Sequence, residues 1–382
     1  MKREINGMAA VIPAAGLSSR MQRFKPLLWL NGKTILESAM EGFREAGISR
    51  LFVVTGHRAE ELEPLIRRAE ATPVYNPHYR RGMFSSICAG ISRLPQELPG
   101  FFVLPVDIPL VRPATIRSLA SAFERRDLDI LHPVYKTTRG HPPVIAMTLK
   151  QKILTWNSGG GLKACLDQFQ DSTEEMAVPD RGILMDGDTQ GDYEKLLARK
   201  TFYRLPSPDE CMELLETIHP ADRKIIRHCR AVEQTAAALA RAVSKGNTPR
   251  SASLNCDLVS AGALLHDIAK GRKDHAEKGA VLIKKWGFPG VAHVIAAHTD
   301  ISTAFGTPLN EKEIVYLADK ITRGTRVDIG YDERFREKAA RFGHDPEAAK
   351  AISRRWSHAD IIRNKIQRAA GLPLETLLES EK

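Results

Sequence analysis

The sequence predicts an α/β doubly wound, mostly parallel sheet followed by an all-α domain, and three observations predict it. From about residue 8 to residue 200, short β-rich segments alternate with amphipathic ones, the grammar of a parallel sheet covered on both faces. After about Lys200 the strand-like segments stop and the apolar spacing becomes helical. Between the two, residues 203–209 carry Pro206 and Pro208, the signature of a linker. The expected division is residues 1–200, a linker over 201–210 and residues 211–382, a fitting length for two domains.

In the first half, residues 8–13, 51–55, 101–106, 129–134, 143–147 and 183–185 are apolar and β-branched enough to be strands. Helical spacing falls on 34–46, 59–69, 86–94 and 113–125. In the second half it falls on 220–243, 256–270, 275–286, 291–298 and 311–322. A last helix over 345–370 is stopped by Gly371 and Pro373, and its basic surface reads as a solvated face.

With 43% hydrophobic and 27% charged residues, the chain is neither disordered, collagen-like nor a disulfide-stapled miniprotein. Its apolar runs fall far short of the ~20 residues that cross a bilayer, so no membrane partner is expected. Lys2 and Arg3 precede an apolar stretch as in a signal peptide, but Glu4, Asn6 and Pro13 interrupt it. The formal net charge of +10 suits a phosphate-rich ligand. Aromatics are only 6% and do not interleave with basic runs, which argues against nucleic acid. Five cysteines with no CxxC pair point to the reducing cytoplasm.

The first strand runs into Pro13-Ala14-Ala15-Gly16-Leu17-Ser18-Ser19-Arg20-Met21, followed by Lys25-Pro26-Leu27-Leu28. Small residues let the backbone approach a ligand and expose N–H groups to phosphate. Arg20 and Lys25 add two cations for charge-assisted contacts. A glycine-rich turn with two solvated cations is the plainer reading of this loop alone. Asp107, directly after the apolar 101–106 strand and flanked by Pro105 and Pro109, falls at the carboxyl edge where ligands of such sheets bind. A carboxylate there suits Mg²⁺, which takes one or two carboxylates plus phosphate oxygens. Asp107 is rather distant to cap the helix at Pro113.

Together these segments resemble the nucleotidyltransferases that transfer a nucleotide monophosphate to molybdopterin. The resemblance continues through Val54-Thr55-Gly56-His57, Asn76-Pro77 and Arg81-Gly82-Met83-Phe84-Ser85-Ser86-Ile87. It then takes in Asp107-Ile108-Pro109-Leu110, Gly140-His141-Pro142-Pro143 and Asp186-Gly187-Asp188-Thr189-Gln190-Gly191-Asp192-Tyr193. It implies a nucleotide-diphospho-sugar-transferase-like fold and in-line attack of an acceptor phosphate on the α-phosphorus of an NTP, with release of pyrophosphate. The implied nucleotide contacts are Ala14, Ala15, Gly16, Ser18, Arg20 and Lys25, with Gly82, Ser85 and Ser86 bordering the base or acceptor. Arg20, Lys25 and Asp107 carry the catalysis, and Mg²⁺ sits on Asp107 with Asp186 or Asp188. The Ala-Ala-Gly opening looks like the cytidylyltransferase branch, so CTP is the expected donor and a molybdoenzyme a further partner. Gln22 departs from the glycine usual after Arg-Met.

In the second half, His266 and Asp267 lie side by side in the apolar run Ala261-Gly262-Ala263-Leu264-Leu265-His266-Asp267-Ile268-Ala269-Lys270. Burying both groups is costly unless they are paired or bind a metal. Adjacent helical residues point ~100° apart, which favours convergence on a third object. His228, His275, His298 and Asp319 lie on other segments, and imidazole with carboxylate suits Mn²⁺, Fe²⁺, Zn²⁺ or Ni²⁺. The ordered set from about Pro220 to Thr325 is similar to the HD-domain phosphohydrolases. By that resemblance His228, His266, Asp267 and Asp319 hold a divalent metal, and His275 and His298 complete a second site. Asp267 is catalytic, and Lys270 reaches the phosphate of a phosphorylated or nucleotide substrate. His219, His293 and His358 read as packing or surface residues.

The expectation is a bifunctional enzyme, a nucleotidyltransferase joined to a metal-dependent phosphohydrolase. The alternatives are cytidylyl transfer to a sugar or alcohol phosphate, since fold does not fix substrate, and a helical half that senses nucleotides without turnover.

Overall fold

The computed structural model describes residues 7–18, 21, 23–246 and 254–379. It divides into two compact units, the first ending at Tyr203 and the second starting at Arg204.

The first unit opens with β1 (Ala9–Pro13), α1 (Ile35–Ala46), β2 (Arg50–Thr55), α2 (Ala59–Arg68) and β3 (Thr72–Tyr75). It continues through α3 (Met83–Ser92), β4 (Gly100–Val103), α4 (Pro113–Phe123), β5 (Ile130–Tyr135), β6 (Thr138–Arg139) and β7 (Val144–Ala146). Two short helices, α5 (Lys150–Leu154) and α6 (Gly161–Leu166), precede β8 (Thr173–Ala177) and α7 (Gln190–Thr201). The sheet has eight strands in the order β3-β2-β1-β4-β7-β5-β6, with β8 also paired to β5. Pairs of β1 with β2 and β4, β2 with β3 and β5 with β8 are parallel; β7 and β6 run antiparallel to their neighbours. The doubly wound, mostly parallel sheet expected from the alternation is present.

β1 is buried at all five positions, as a central parallel strand must be when helices cover both faces. Gly90 lets α3 lie directly on it, since a Cβ there would come within 2.4 Å of Val11 Cγ1. β3 and β8 were not expected. β3 is an edge strand containing Pro73, and β8 reads Thr-Glu-Glu-Met-Ala with no apolar run to announce it. The expected strand at 183–185 is instead part of a 3-10 turn over Arg181–Leu184. Buried Asp180 folds that stretch back: its carboxylate accepts from Gly182 N–H, the Thr115 hydroxyl and both Arg112 N–H and guanidinium.

The second unit comprises α8 (Pro208–Glu213), α9 (Arg223–Lys245), α10 (Cys256–Leu265), α11 (His275–Lys285), α12 (Pro289–Ala296) and α13 (Glu311–Lys320). A hairpin of two-residue strands, β9 (Thr322–Arg323) and β10 (Arg326–Val327), is its departure from all-α architecture. Helices α14 (Tyr331–Phe342), α15 (Pro346–Ala370) and α16 (Leu374–Glu379) complete it. Its core gathers Val232, Leu239 and Val243 of α9, Val259 and Ala263 of α10, Val315 and Tyr316 of α13, and Ile362 and Ile366 of α15. Gly262 permits close approach of α10 and α12, where a Cβ would meet Val294 Cγ1 at 2.6 Å. The expected helix over 256–270 stops at Leu265, and three-residue turns follow, with Ile268 N–H on Leu265 and Lys270 N–H on Asp267. His266 and Asp267 therefore head a turn rather than occupy a helix interior.

Candidate functional site

In the first unit, the chain beyond β1 and the chain beyond β4 run side by side past the strand ends. Val106 N–H donates to Pro13 O at 3.2 Å, and Ala14 N–H reaches back to Val54 O at 2.8 Å. Gly56 is pressed between Tyr79 and Ala15, with a virtual Cβ 2.6 Å from Tyr79 and 2.9 Å from Ala15, so the Ala14–Gly16 backbone lies close against β2. Ser18 takes a positive φ of 53°, and its Oγ accepts from Lys25 N–H at 3.0 Å.

These pieces wall a cavity of about 440 Å³ lined by Ala14, Ala15, Gly16, Ser18, Lys25, Gly82, Ser86, Asp107 and Asp188. Lys25 Nζ lies 2.6 Å from Asp188 Oδ1 and 3.8 Å from Asp107 Oδ2. Gly187 N–H donates to Asp107 O at 2.9 Å, which ties the 186–188 turn to the β4 edge. Burial pushes the Asp107 carboxyl up; Lys25 opposes this, and the charges of Asp188 and Asp186 add to it. Among the described residues, the carboxylates of Asp107, Asp186 and Asp188 lie near the Lys25 ammonium, a hard-oxygen donor set that suits Mg²⁺.

Ser85 does not line this cavity. Its hydroxyl sits 2.8 Å from Gly82 O and accepts from Asn76 Nδ2 at 3.0 Å, so it holds the start of α3. Arg20 lies outside the described residues. Tyr79 and Arg80 line the cavity and were not anticipated; neither lies in the small-residue loop or the strand-end motifs. A wider cavity of about 900 Å³ shares Met83, Pro105, Asp107 and Asp188 with the first and extends to Asp186, His132, Arg139, His141 and Lys163. Burial, with Arg139 and His141 adding, pushes His132 down to about 4.

In the second unit the six expected donors converge. His228 comes from α9, His275 from the start of α11, His298 from just past α12, and Asp319 from α13. Two triads form, His228–His266–Asp267 and Asp267–His275–His298, with donor atoms of each within 4.8 Å of one another. His266 Nδ1 donates to Ala263 O and His298 Nδ1 to Ile295 O, both at 2.7 Å. His228 Nδ1 faces Gly324 O at 3.0 Å. Each of these three rings thus turns its Nε2 inward.

His266 Nε2 is fully enclosed without a hydrogen-bond partner, and two carboxylate oxygens lie near it, Asp267 Oδ2 at 3.5 Å and Asp319 Oδ1 at 3.6 Å. Acceptor facing acceptor in a buried site fits a cation between them. Burial would raise the Asp267 carboxyl, but the neighbouring His266 and His298 rings and the Lys270 ammonium hold it well below the usual range. Burial of Asp319 is likewise outweighed by Lys320, His228 and His266.

The triads open into a cavity of about 430 Å³ that includes Lys270, whose ammonium is 3.0 Å from Asp267 Oδ2. Ile352 and Arg355 of α15 line it too, so the basic last helix is not simply a solvated face. Lys224, Lys320, Arg334 and Lys338 also line it; residues this far apart in the chain give no local signal. His219 accepts from Trp286 Nε1 at 3.3 Å, and His293 sits 3.2 Å from Lys312 Nζ, both outside the cluster.

Comparison with known proteins matches a separate family in each half of the chain. The family model for the MobA-like NTP transferase domain matches residues 10–173, and that for the HD domain matches residues 225–324. The chain is 31% identical over 192 residues to a molybdenum cofactor cytidylyltransferase of Escherichia coli (strain K12), covering 50% of this chain and 95% of that protein. It is 27% identical over 136 residues to the bifunctional protein GlmU of Francisella tularensis subsp. novicida (strain U112), covering 35% of this chain and 29% of GlmU. Among solved structures, a nucleotidyl transferase from Methanothermobacter thermautotroptrophicus aligns with a TM-score of 0.46 at 24% identity, over 52% of this chain and 99% of that one.

Proposed function

Since the chain belongs to the MobA-like NTP transferases and carries an HD domain behind that domain, we propose that its first unit transfers CMP from CTP to molybdopterin and its second hydrolyses a phosphate ester. The observation that supports the first reading best is the meeting of two cavities at Asp107 and Asp188. One is bordered by the small-residue loop and suits a triphosphate. The other carries Arg139, Lys163 and two histidines and suits an anionic, ring-bearing acceptor.

In this reading the Ala14–Gly16 backbone and Ser18 hold the triphosphate, while Lys25 neutralises the charge that builds on the leaving phosphates. A phosphate oxygen of the acceptor bonds to the α-phosphorus, the bond to the bridging oxygen breaks, and pyrophosphate leaves with its electron pair. Mg²⁺, held by Asp107 with Asp186 or Asp188, supplies further neutralisation of the triphosphate when bound. Positioning does the rest, and the buried Arg112–Asp180 pair fixes the stretch that delivers Asp186 and Asp188.

In the second unit His228, His266, Asp267, His275, His298 and Asp319 would hold one or two divalent transition metals, which supply an activated water when bound. Lys270 reaches toward the phosphate under attack. The two activities are separable, with residues 1–200 and 211–382 acting independently across the 201–210 linker. No helix among the described residues is long and apolar enough to cross a membrane, and the free cysteines accord with a cytoplasmic protein.

The test is a panel of CTP, GTP, UTP and ATP with molybdopterin and with simple sugar and alcohol phosphates, following pyrophosphate. CTP with molybdopterin should be the productive pair. Turnover only with a sugar or alcohol phosphate would overturn the acceptor assignment.

A further inference from the structure

We propose that the second unit's cavity takes a substrate bearing at least two phosphate groups, one at the His–Asp cluster and another held by Arg334, Lys338 and Arg355. The proposal rests on the phosphohydrolase reading of that unit.

The cavity gathers six cationic side chains, Lys224, Lys270, Lys320, Arg334, Lys338 and Arg355. Two of them are matched locally: Lys270 lies 3.0 Å from Asp267, and Lys320 lies 2.6 Å from Asp319. Among the described residues, Lys224, Arg334 and Lys338 have no carboxylate within ion-pair distance. Arg334 spends its one side-chain hydrogen bond on Lys320 O at 3.4 Å. Arg355 reaches Asp300 only at 3.9 Å, and its enclosed Nε has no partner.

Lys224 and Lys338 are exposed and Arg334 and Arg355 half-buried, and all four line one concave surface. Burial, with the charges of Arg334 and Lys320 adding, pushes the Lys338 ammonium down. Arg354, one residue before Arg355, pairs with Asp300 and does not line the cavity.

A single phosphate would be accounted for at the cluster, by Lys270 and the bound cation. The remaining cations call for further negative charge, and a second phosphate supplies it in the geometry that arginine binds best. Arg334, Lys338 and Arg355 come from α14 and α15, beyond the stretch 225–324 that the HD family shares. The cations that select for a second phosphate therefore lie outside the residues that the HD family model matches. Hydrolysis would join a water oxygen to the scissile phosphorus and break its bond to the leaving oxygen, which keeps the electron pair and takes up a proton. A phosphate-bearing product remains on α14 and α15.

The binding test uses the full chain at fixed Mn²⁺, with imidodiphosphate and orthophosphate as calorimetric probes. The double variant R334Q/K338Q should weaken imidodiphosphate binding about tenfold or more while weakening orthophosphate less than about threefold. The charge-conserving R334K/K338R should retain most of the imidodiphosphate affinity, which separates loss of charge from loss of folding. Equal weakening of both probes, or no change, overturns the proposal.

A kinetic arm measures phosphate release from nucleoside 5′-diphosphates against 5′-monophosphates. The ratio of their kcat/KM should favour the diphosphate and fall about tenfold in R334Q/K338Q. A wild-type preference for monophosphates overturns the proposal and leaves the hydrolase reading standing. No release from any substrate overturns the hydrolase reading, and the two binding probes then decide whether the cavity selects a second phosphate.

Discussion

The Lys25 ammonium lies 2.6 Å from the Asp188 carboxylate, across 163 residues of chain, and 3.8 Å from Asp107. One small-residue loop, one strand end and one distant turn are thereby held at a single point. Among the described residues, Asp107 and Asp188 face one ammonium together, the arrangement on which the proposed Mg²⁺ and triphosphate sites rest.

Replacing Asp107 by alanine should lower pyrophosphate release by about 10²–10³-fold, the range for losing one charge-stabilising group. Asp267→Ala should do the same to phosphate release by the second unit. Each variant is measured for both activities. Loss of both in either one would mean that the units share a single site.

Dialysis against a chelator should lower the thermal midpoint of the second unit's unfolding, because a cation bound only by the folded form stabilises it. Elemental analysis of His266→Ala should show metal content well below wild type, since its Nε2 is enclosed among the donors with no hydrogen-bond partner. Undiminished metal in that variant would contradict the cluster's role.

His132 is pushed down from an ordinary 6.5 to about 4 by burial, Arg139 and His141. Between those values the unfolded chain binds a proton that the folded chain refuses, so stability falls as pH drops from 6.5 toward 4. His132→Asn should flatten this fall, read as the difference in urea midpoint between pH 7 and pH 5. A variant as acid-sensitive as wild type would assign the effect elsewhere.

Asp180 is 1% exposed and accepts from Arg112, Thr115 and Gly182. Asp180→Ala strands a buried guanidinium and should cost about 3–5 kcal/mol of unfolding free energy. It should also weaken nucleotide binding, because the 186–188 turn follows directly on the 181–184 stretch that this pair holds. Denaturant titration and CTP titration together check it; a stable variant with intact binding would show the pair to be dispensable.

Much of this was legible in the sequence because it is local. The Ala-Ala-Gly loop, Asp107 after its strand and the adjacent His266 and Asp267 each announce themselves within a few residues. β8 did not, since Glu174 and Glu175 on an edge strand have no apolar partner to betray the period. The 183–185 segment looked like a strand because Ile183, Leu184 and Met185 are apolar, but the remote Arg112–Asp180 contact bends it into a turn. Ser85 matched a motif yet serves the start of α3 through Asn76. Arg334, Lys338 and Arg355 look like ordinary surface cations until two helices bring them to one cavity.

His266 and His298 are each anchored through Nδ1 to the carbonyl three positions earlier, Ala263 and Ile295. The aim of both rings is set within one turn of their own backbone. Assembly of the centre then requires only that finished turns be brought together, with no reorientation of imidazoles after contact. Substitutions far from those turns can shift the centre bodily, but they leave each ring pointing where its neighbouring peptide sets it.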